Sequence, residues 1–75
     1  MYIRLRNLRE DKDLSQRELA AHLGMSQTGY SKYETGENDI PTGILKQLAV
    51  MHNTSTDYLL ELTDDPKPYK RSRKR

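Results

Sequence analysis

The chain has 75 residues, of which 32% are charged and 33% hydrophobic, so it can hold one small domain with a compact core. It contains no cysteine, which excludes a disulfide framework and any zinc or iron–sulfur site with cysteine ligands. No apolar run approaches the roughly 20 residues of a membrane span, and no stretch near the start has the pattern of a signal peptide. We therefore expect a soluble, intracellular protein.

Charge is divided unevenly along the chain. Residues 66–75 carry six of the 13 lysines and arginines and no acidic residue, whereas residues 1–65 carry all 11 acidic residues. The formal charge is therefore −4 for the first part and +6 for the second. We predict a folded domain over residues 1–65 and a basic, disordered tail over residues 66–75. Such a tail is either a solvated terminus or an electrostatic arm for phosphates or an acidic partner.

Apolar residues recur at helical spacing, and no stretch alternates as a strand would, so the sequence predicts an all-α fold with five short helices. The first helix is expected to end near Lys12, followed by Asp13 in a left-handed conformation. Ser15 and Glu18 have the spacing of a capping box at the start of the second helix. Gly24 is well placed to end that helix.

The remaining three helices are marked by similar signals. The third is expected to begin at Ser26 and to end at Gly36. Pro41 suits the first turn of the fourth, which Asn53 can end in a left-handed conformation. A short fifth helix is expected to begin at Ser55 or the next residue and to carry four apolar residues: Tyr58, Leu59, Leu60 and Leu62.

Residues 15–35 are the most informative stretch, because a turn over residues 23–26 is too short for its two helices to pack antiparallel. They must cross steeply, as in a helix-turn-helix. Gly29 lies in the middle of the third helix, where close approach to DNA or chance would explain it equally well. The outer face of that helix carries mostly uncharged hydrogen-bonding side chains, which suit the reading of base edges in the major groove: Gln27, Thr28, Ser31, Lys32 and Thr35.

The pattern of residues 4–62 resembles the Cro- and repressor-type helix-turn-helix proteins, known as the XRE family. The resemblance implies a compact five-helix bundle of the lambda-repressor-like type that binds double-stranded DNA. It also implies a homodimer, transcription regulation (most often repression), and a cytoplasmic, nucleoid-associated protein of bacterial or phage origin. It rests on these segments: Leu14-Ser15-Gln16, Leu19-Ala20, Leu23-Gly24-Met25-Ser26, Tyr33-Glu34-Thr35-Gly36, Pro41, Leu48-Ala49 and Ser55-Thr56-Asp57-Tyr58-Leu59-Leu60.

Position by position, the resemblance implies seven DNA contacts. Gln27 and Thr28 match the family's two base readers, and Gln16 matches the residue that contacts a phosphate and braces the first reader. Arg17 and Ser26 match contacts to the DNA backbone that set register. Ser31 and Lys32 occupy the later contact positions. Arg9 and Glu34 match a structural ion pair outside this binding set. Outside the segment that resembles the family, we predict phosphate contacts from three tail residues, Lys70, Arg71 and Arg73.

The sequence departs from the family pattern at four places. The loop after the third helix, Glu37-Asn38-Asp39, is acidic where relatives carry basic residues that grip phosphates. We therefore expect weak electrostatic affinity for DNA from the domain itself, unless the basic tail compensates. Asp13 also replaces a glycine, Thr54 replaces an apolar residue, and Tyr30 is larger than the usual aliphatic residue.

Other classes of function are less well supported. The candidate serine nucleophiles are all explained as helix caps, and His22 and His52 lie on separate helices without a third ligand. We therefore expect no enzymatic activity, no cofactor and no metal. The alternative to DNA binding is a protein-interaction module, such as an antitoxin or anti-repressor, that binds its partner through Tyr58, Leu62 and the last helix. The family's dimer interface corresponds to residues 53–62.

Overall fold

The computed structural model describes residues 2–69, and all regular structure in this range is helical. The predicted all-α fold with five helices is confirmed. No helix among these residues is long and apolar enough to cross a membrane. The tail residues Lys70, Arg71 and Arg73 lie outside the described range. In chain order the helices are α1 (Ile3–Asp11), α2 (Gln16–His22), α3 (Gln27–Thr35), α4 (Thr42–Met51) and α5 (Thr56–Leu59).

Serine hydroxyls cap the N-termini of three of the five helices. The Ser15 hydroxyl accepts a hydrogen bond from the Glu18 backbone N–H at 3.0 Å, and the Glu18 carboxylate accepts one from the Ser15 N–H at 2.8 Å. The predicted capping box is therefore confirmed. Ser26 and Ser55 each accept a backbone N–H from three residues further on, at 3.1 and 3.0 Å. Each such cap satisfies a donor that the helix itself leaves open and contributes about 1 kcal/mol.

Left-handed residues follow the ends of α1, α2, α4 and α5. Their φ angles are 56° at Asp13, 69° at Gly24, 52° at Asn53 and 64° at Glu61. At each of them the next residue's N–H bonds back across the last turn, as in a Schellman motif. The first three were predicted from residue type, and the structure confirms them. Glu61 was not predicted, because glutamate carries no left-handed preference.

Two helix boundaries differ from the prediction. Pro41 occupies the N-cap position of α4 instead of its first turn. The fifth helix ends at Leu59, so Leu62 lies beyond it with 73% of its surface exposed. The cause is the left-handed Glu61, after which the Leu62 N–H closes the motif on the Asp57 carbonyl at 2.8 Å.

The core is a single apolar cluster to which every helix contributes. Ala20 is only 1% exposed at the crossing of α2 and α3, so its small size is required there. At Gly29 a Cβ would lie 3.1 Å from Met25 Cε and 3.2 Å from Ser26 Oγ. A side chain at this position would therefore require Met25 or the capping hydroxyl of Ser26 to shift by a few tenths of an ångström. The residues with no exposed surface are Leu5, Leu19, Tyr30, Leu48 and Leu59.

His52 caps the end of α4 and is buried, with 8% of its surface exposed. Neither ring nitrogen has a hydrogen-bond partner among residues 2–69. Burial, together with the nearby positive charge of Lys12, lowers the pKa of His52 below its ordinary value. The neutral imidazole is therefore the form that the folded protein accommodates.

We expect His52 to make the domain less stable in mild acid. Below about pH 6.5 the unfolded chain takes up a proton that the folded chain resists. The free energy of unfolding therefore decreases as the pH is lowered, by at most about 1.4 kcal/mol per pH unit. Urea unfolding between pH 7.5 and 5 measures this slope. The variant His52→Leu should flatten it, whereas the exposed-site control His22→Gln should leave it unchanged. An equal slope in the native protein and in His52→Leu would contradict the assignment.

Candidate nucleic-acid interface

Helices α2 and α3, with the short turn between them, present the candidate interface. The inner face of α3 is fixed by two aromatic side chains, Tyr30 with no exposed surface and Tyr33 with 9%. Their rings meet edge to face, with centroids 6.4 Å apart and planes at 89°, a favourable aromatic geometry. Because this face is held in the core, the opposite face of α3 points away from it.

The outer face of α3 carries the predicted reading residues. Gln27 and Thr28 are exposed in its first turn, and Ser31 and Lys32 are half-buried one turn further on. Ser26 is exposed at the start of the helix. Its hydroxyl oxygen accepts the capping hydrogen bond, so the hydroxyl proton is available to an outside acceptor such as a phosphate oxygen. The structure thus brings these five predicted residues together on one exposed edge.

Helix α2 adds two predicted residues, with one difference. Arg17 is exposed in the first turn, as a backbone contact requires. The Gln16 amide nitrogen, however, donates to the Glu34 carboxylate at 3.0 Å. The expected bracing of Gln27 by Gln16 stays a prediction for the DNA-bound protein, and the amide contacts Glu34 in this structure. A buried carboxylate is the stronger acceptor, because a charge-assisted hydrogen bond outweighs one between two neutral amides.

An ion pair joins α1 to α3 behind this surface. Arg9 Nε lies 2.7 Å from Glu34 Oε2, and the two side chains are 12% and 5% exposed. Arg9 also donates to the Leu14 carbonyl at 2.8 Å. Burial alone would raise the pKa of Glu34, but hydrogen bonds from Arg9 and Gln16 outweigh it and hold that pKa below its ordinary value. The predicted structural pair is therefore present, and it fixes the end of α3.

The Tyr30 hydroxyl is buried beside this ion pair. It makes no hydrogen bond of standard geometry with the described residues. Burial and the neighbouring carboxylate of Glu34 raise the pKa of Tyr30, so the phenol stays neutral. The larger side chain that sets this chain apart from the family pattern thus fills core space next to the Arg9–Glu34 pair.

The loop after α3 gives the surface a negative edge. Glu37, Asn38 and Asp39 are all exposed. The Thr35 hydroxyl donates to the Lys32 carbonyl at 3.2 Å and accepts the Glu37 N–H at 3.3 Å, so it serves to end the helix. An exposed acidic edge repels phosphates, which leaves little electrostatic attraction for a polyanion from this part of the domain.

The described part of the chain does not assemble a metal site. It contains no group of three or more histidine, aspartate or glutamate side chains placed to hold a metal ion. A shallow pocket of about 240 Å³ adjoins the interface. Two of its charged side chains, Arg9 and Glu34, are bound to each other, and the third, Arg6, pairs with Glu10. The pocket is lined by Ile3, Arg6, Arg9, Gln16, Glu34 and Thr35.

Comparison with known proteins bears on this geometry. The sequence profile of the helix-turn-helix family matches residues 5–59, from α1 through α5. The chain belongs to the XRE family of helix-turn-helix proteins. The resemblance stated from its motifs is therefore confirmed, and the two crossed helices of the interface are the family's helix-turn-helix.

Three relatives of this XRE-family chain come from Bacillus subtilis (strain 168). One, an uncharacterized HTH-type transcriptional regulator, YobD, is 40% identical over 87% of this chain and 58% of its own length. The prophage-derived uncharacterized HTH-type transcriptional regulator YonR is 38% identical, over 80% and 56%. The HTH-type transcriptional regulator ImmR is 37% identical, over 76% and 45%. The chain thus spans about half the length of these relatives. No solved structure matches it significantly.

Proposed function

We propose that this XRE-family chain binds double-stranded DNA and regulates transcription, with α3 lying in the major groove. The observation that carries the proposal is the exposed edge of α3, where Gln27 and Thr28 lie in the first turn. The opposite face of the helix is fixed in the core by Tyr30 and Tyr33. A glutamine in this position can pair with an adenine edge through two hydrogen bonds, and a threonine can contact a thymine methyl group. The three relatives named as transcriptional regulators agree with this role.

Most of the remaining contacts would position the helix without reading sequence. Arg17 and Ser26 are exposed at the starts of α2 and α3, where phosphate contacts set register. Lys32, half-buried one turn further along, reaches toward a base or a phosphate with its long side chain. Gln16 contributes by holding Glu34, and hence the end of α3, in place. If the bound site overlaps a promoter, binding represses transcription. A protein with this role would act in the cytoplasm.

Binding as a homodimer belongs to the same proposal. A single small module buries about 600–1,000 Å² on DNA, which rarely defines a unique site without a second half-site. Leu62, at the end of the predicted interface over residues 53–62, is 73% exposed and available to a second copy. Sedimentation velocity with and without bound duplex tests this. We expect two chains to bind each duplex, one on each half-site. A single chain per duplex would contradict binding as a homodimer.

Selection of bound duplexes from a random library, at about 50 and 200 mM salt, tests DNA reading itself. We expect an inverted repeat whose half-sites lie about one helical turn apart. If no sequence is enriched and binding disappears at the higher salt, the chain attracts polyanions only through its basic residues and the proposal fails.

A protein-interaction module is the second candidate, and exposed apolar surface on α4 favours it. Val50 is 62% exposed, and with Met51, Lys46 and Gln47 it lines an open depression of about 370 Å³. The negative charge of residues 1–65 also suits a partner other than DNA. Tyr58, which the sequence offered for this role, is half-buried beneath Arg4 and is less available. Failure of the duplex selection would favour this candidate.

A further inference from the structure

The shallow pocket of about 240 Å³ beside the proposed DNA interface lies at the junction of three helices. Half of its lining residues belong to α1, and the other half belong to the first turn of α2 and the last turn of α3. The pocket therefore links α1 to the surface that is proposed to contact DNA. Its lining is Ile3, Arg6 and Arg9 from α1, Gln16 from α2, and Glu34 and Thr35 from α3.

The lining carries two positive charges and one negative charge. Arg9 and Glu34 balance each other, because each of the three guanidinium nitrogens of Arg9 donates a hydrogen bond, two to the Glu34 carboxylate and one to the Leu14 carbonyl. These two side chains are 12% and 5% exposed, so they belong to the folded framework. The positive charge that remains in the lining is that of Arg6.

Arg6 has a more open environment than Arg9. Its side chain is 60% exposed, and its hydrogen bond to Glu10 joins Nε to Oε2 at 3.2 Å. That bond leaves the two terminal nitrogens of the guanidinium for another acceptor. An exposed ion pair of this kind holds its partners weakly, so a second anion can compete with Glu10 for Arg6.

The Gln16 amide supplies a second donor at the pocket. Its nitrogen carries two N–H groups, of which one donates to Glu34 at 3.0 Å and the other is left for an outside acceptor. Glu34 thus orients this amide, while Arg9 balances the charge of the carboxylate. The next residue, Arg17, is exposed on the same turn and is a predicted contact to the DNA backbone. The pocket therefore lies beside a predicted line of phosphates.

We propose that the pocket binds one phosphate of the DNA backbone, with the Arg6 guanidinium as its charged contact and the Gln16 amide as a second donor. This inference rests on the proposed DNA binding. A guanidinium suits a phosphate because two of its N–H groups pair with two oxygens at once. Arg6 lies outside the seven contacts predicted from the sequence, all of which are on or beside α2 and α3. It supplies from α1 a phosphate attraction that the acidic loop over residues 37–39 does not supply.

Arg6→Gln tests the contact, with Lys46→Gln as the matched control. Each change removes one positive charge from an exposed position, but Lys46 lies on α4, which contributes nothing to the pocket. Arg6→Gln should weaken binding to the selected duplex about three- to tenfold, reduce the salt slope by about one and leave the base preference unchanged. Lys46→Gln should change affinity less than about twofold at the same slope. Equal effects of the two changes would show that Arg6 acts only through net charge and would overturn the inference.

Uncharged methylphosphonates, placed one at a time in the selected duplex, locate the phosphate. At one position in each half-site the replacement should weaken binding of the native chain and of Lys46→Gln, and have no further effect on Arg6→Gln. If every position that matters to the native chain matters equally to Arg6→Gln, Arg6 contacts no phosphate. Circular dichroism and Tm report the fold of each variant.

The competition with Glu10 gives a second test. Glu10→Gln should tighten duplex binding about two- to fivefold more than Asp11→Asn, which removes the same charge from the next position of α1. In the Arg6→Gln background the two changes should have equal effects. If Glu10→Gln keeps its advantage in that background, the carboxylate does not compete with a phosphate for Arg6, and the proposal is wrong.

The Nε–H resonance of Arg6 separates a DNA phosphate from a free phosphate ion. It should shift on addition of the selected duplex and stay in place on addition of inorganic phosphate at constant ionic strength. A saturable shift with inorganic phosphate alone would identify a site for free anions and overturn the proposal. If the native chain binds its duplex and Arg6→Gln binds it equally well, this inference fails while the proposed function stands. If the native chain selects no duplex, both fail.

Discussion

Replacing Arg9 by alanine is expected to destabilise the domain by about 3–5 kcal/mol, the usual cost of leaving one partner of a buried ion pair uncompensated. Glu34 would remain 95% buried in its native position with the Gln16 amide as its remaining partner. The Leu14 carbonyl would lose its hydrogen bond as well. Urea unfolding at pH 7 measures the change, and a loss below about 1 kcal/mol would contradict the role assigned to the pair.

Arg6→Ala is the matched control, because it removes the same type of residue from the same helix. Its partner Glu10 lies 3.2 Å away, but the two side chains are 60% and 52% exposed, so a change within about 0.5 kcal/mol is expected. The Arg9→Ala effect should also depend on pH. Since the pKa of Glu34 is lowered in the folded protein, its contribution is present at neutral pH and is lost as the pH falls through that lowered pKa. The two proteins should therefore converge in acid.

Gln27→Ala is expected to weaken binding to the selected duplex by about 5- to 160-fold, the equivalent of about 1–3 kcal/mol for one bidentate base contact. The preference at a single base position in each half-site should relax at the same time. The side chain is exposed on α3, so the fold should be unaffected. Competition against duplexes that vary at each position measures both effects.

Arg17→Ala provides the contrast. As a phosphate contact it should weaken binding to all duplexes about equally and reduce the salt slope by about one. If Gln27→Ala instead weakens all duplexes uniformly and Arg17→Ala changes the base preference, the assignment of reading and positioning residues is wrong.

Signals within a few residues of each other allowed most of the fold to be predicted. The capping box at Ser15 and the left-handed positions at Asp13, Gly24 and Asn53 depend on hydrogen bonds between near neighbours in the chain. Such bonds follow from residue type and spacing. The outward face of α3 was also predicted, since the buried Tyr30 and Tyr33 fix which side of the helix faces the core.

Apart from the Arg9–Glu34 pair, which the family resemblance implied, contacts between distant residues were beyond the reach of the sequence. Arg4 is one of three arginines on α1, and nothing near it in the sequence indicates that it holds Asp64. The hydrogen bond from the Gln16 amide to Glu34 depends on how the helices cross, and so does the burial of His52. Glu61 takes its left-handed conformation without a residue preference for it, so the early end of α5 had no local signal.

The central claim, that the exposed edge of α2 and α3 contacts DNA, is tested most directly by backbone amide chemical shifts on addition of the selected duplex. The full chain labelled with nitrogen-15 should show its largest changes at Gln16, Arg17 and residues 26–32, with smaller ones over the basic residues 66–75. Residues 46–51 on α4 should change little. Changes confined to α4, or to residues 66–75 alone, would contradict the claim that α3 reads the duplex.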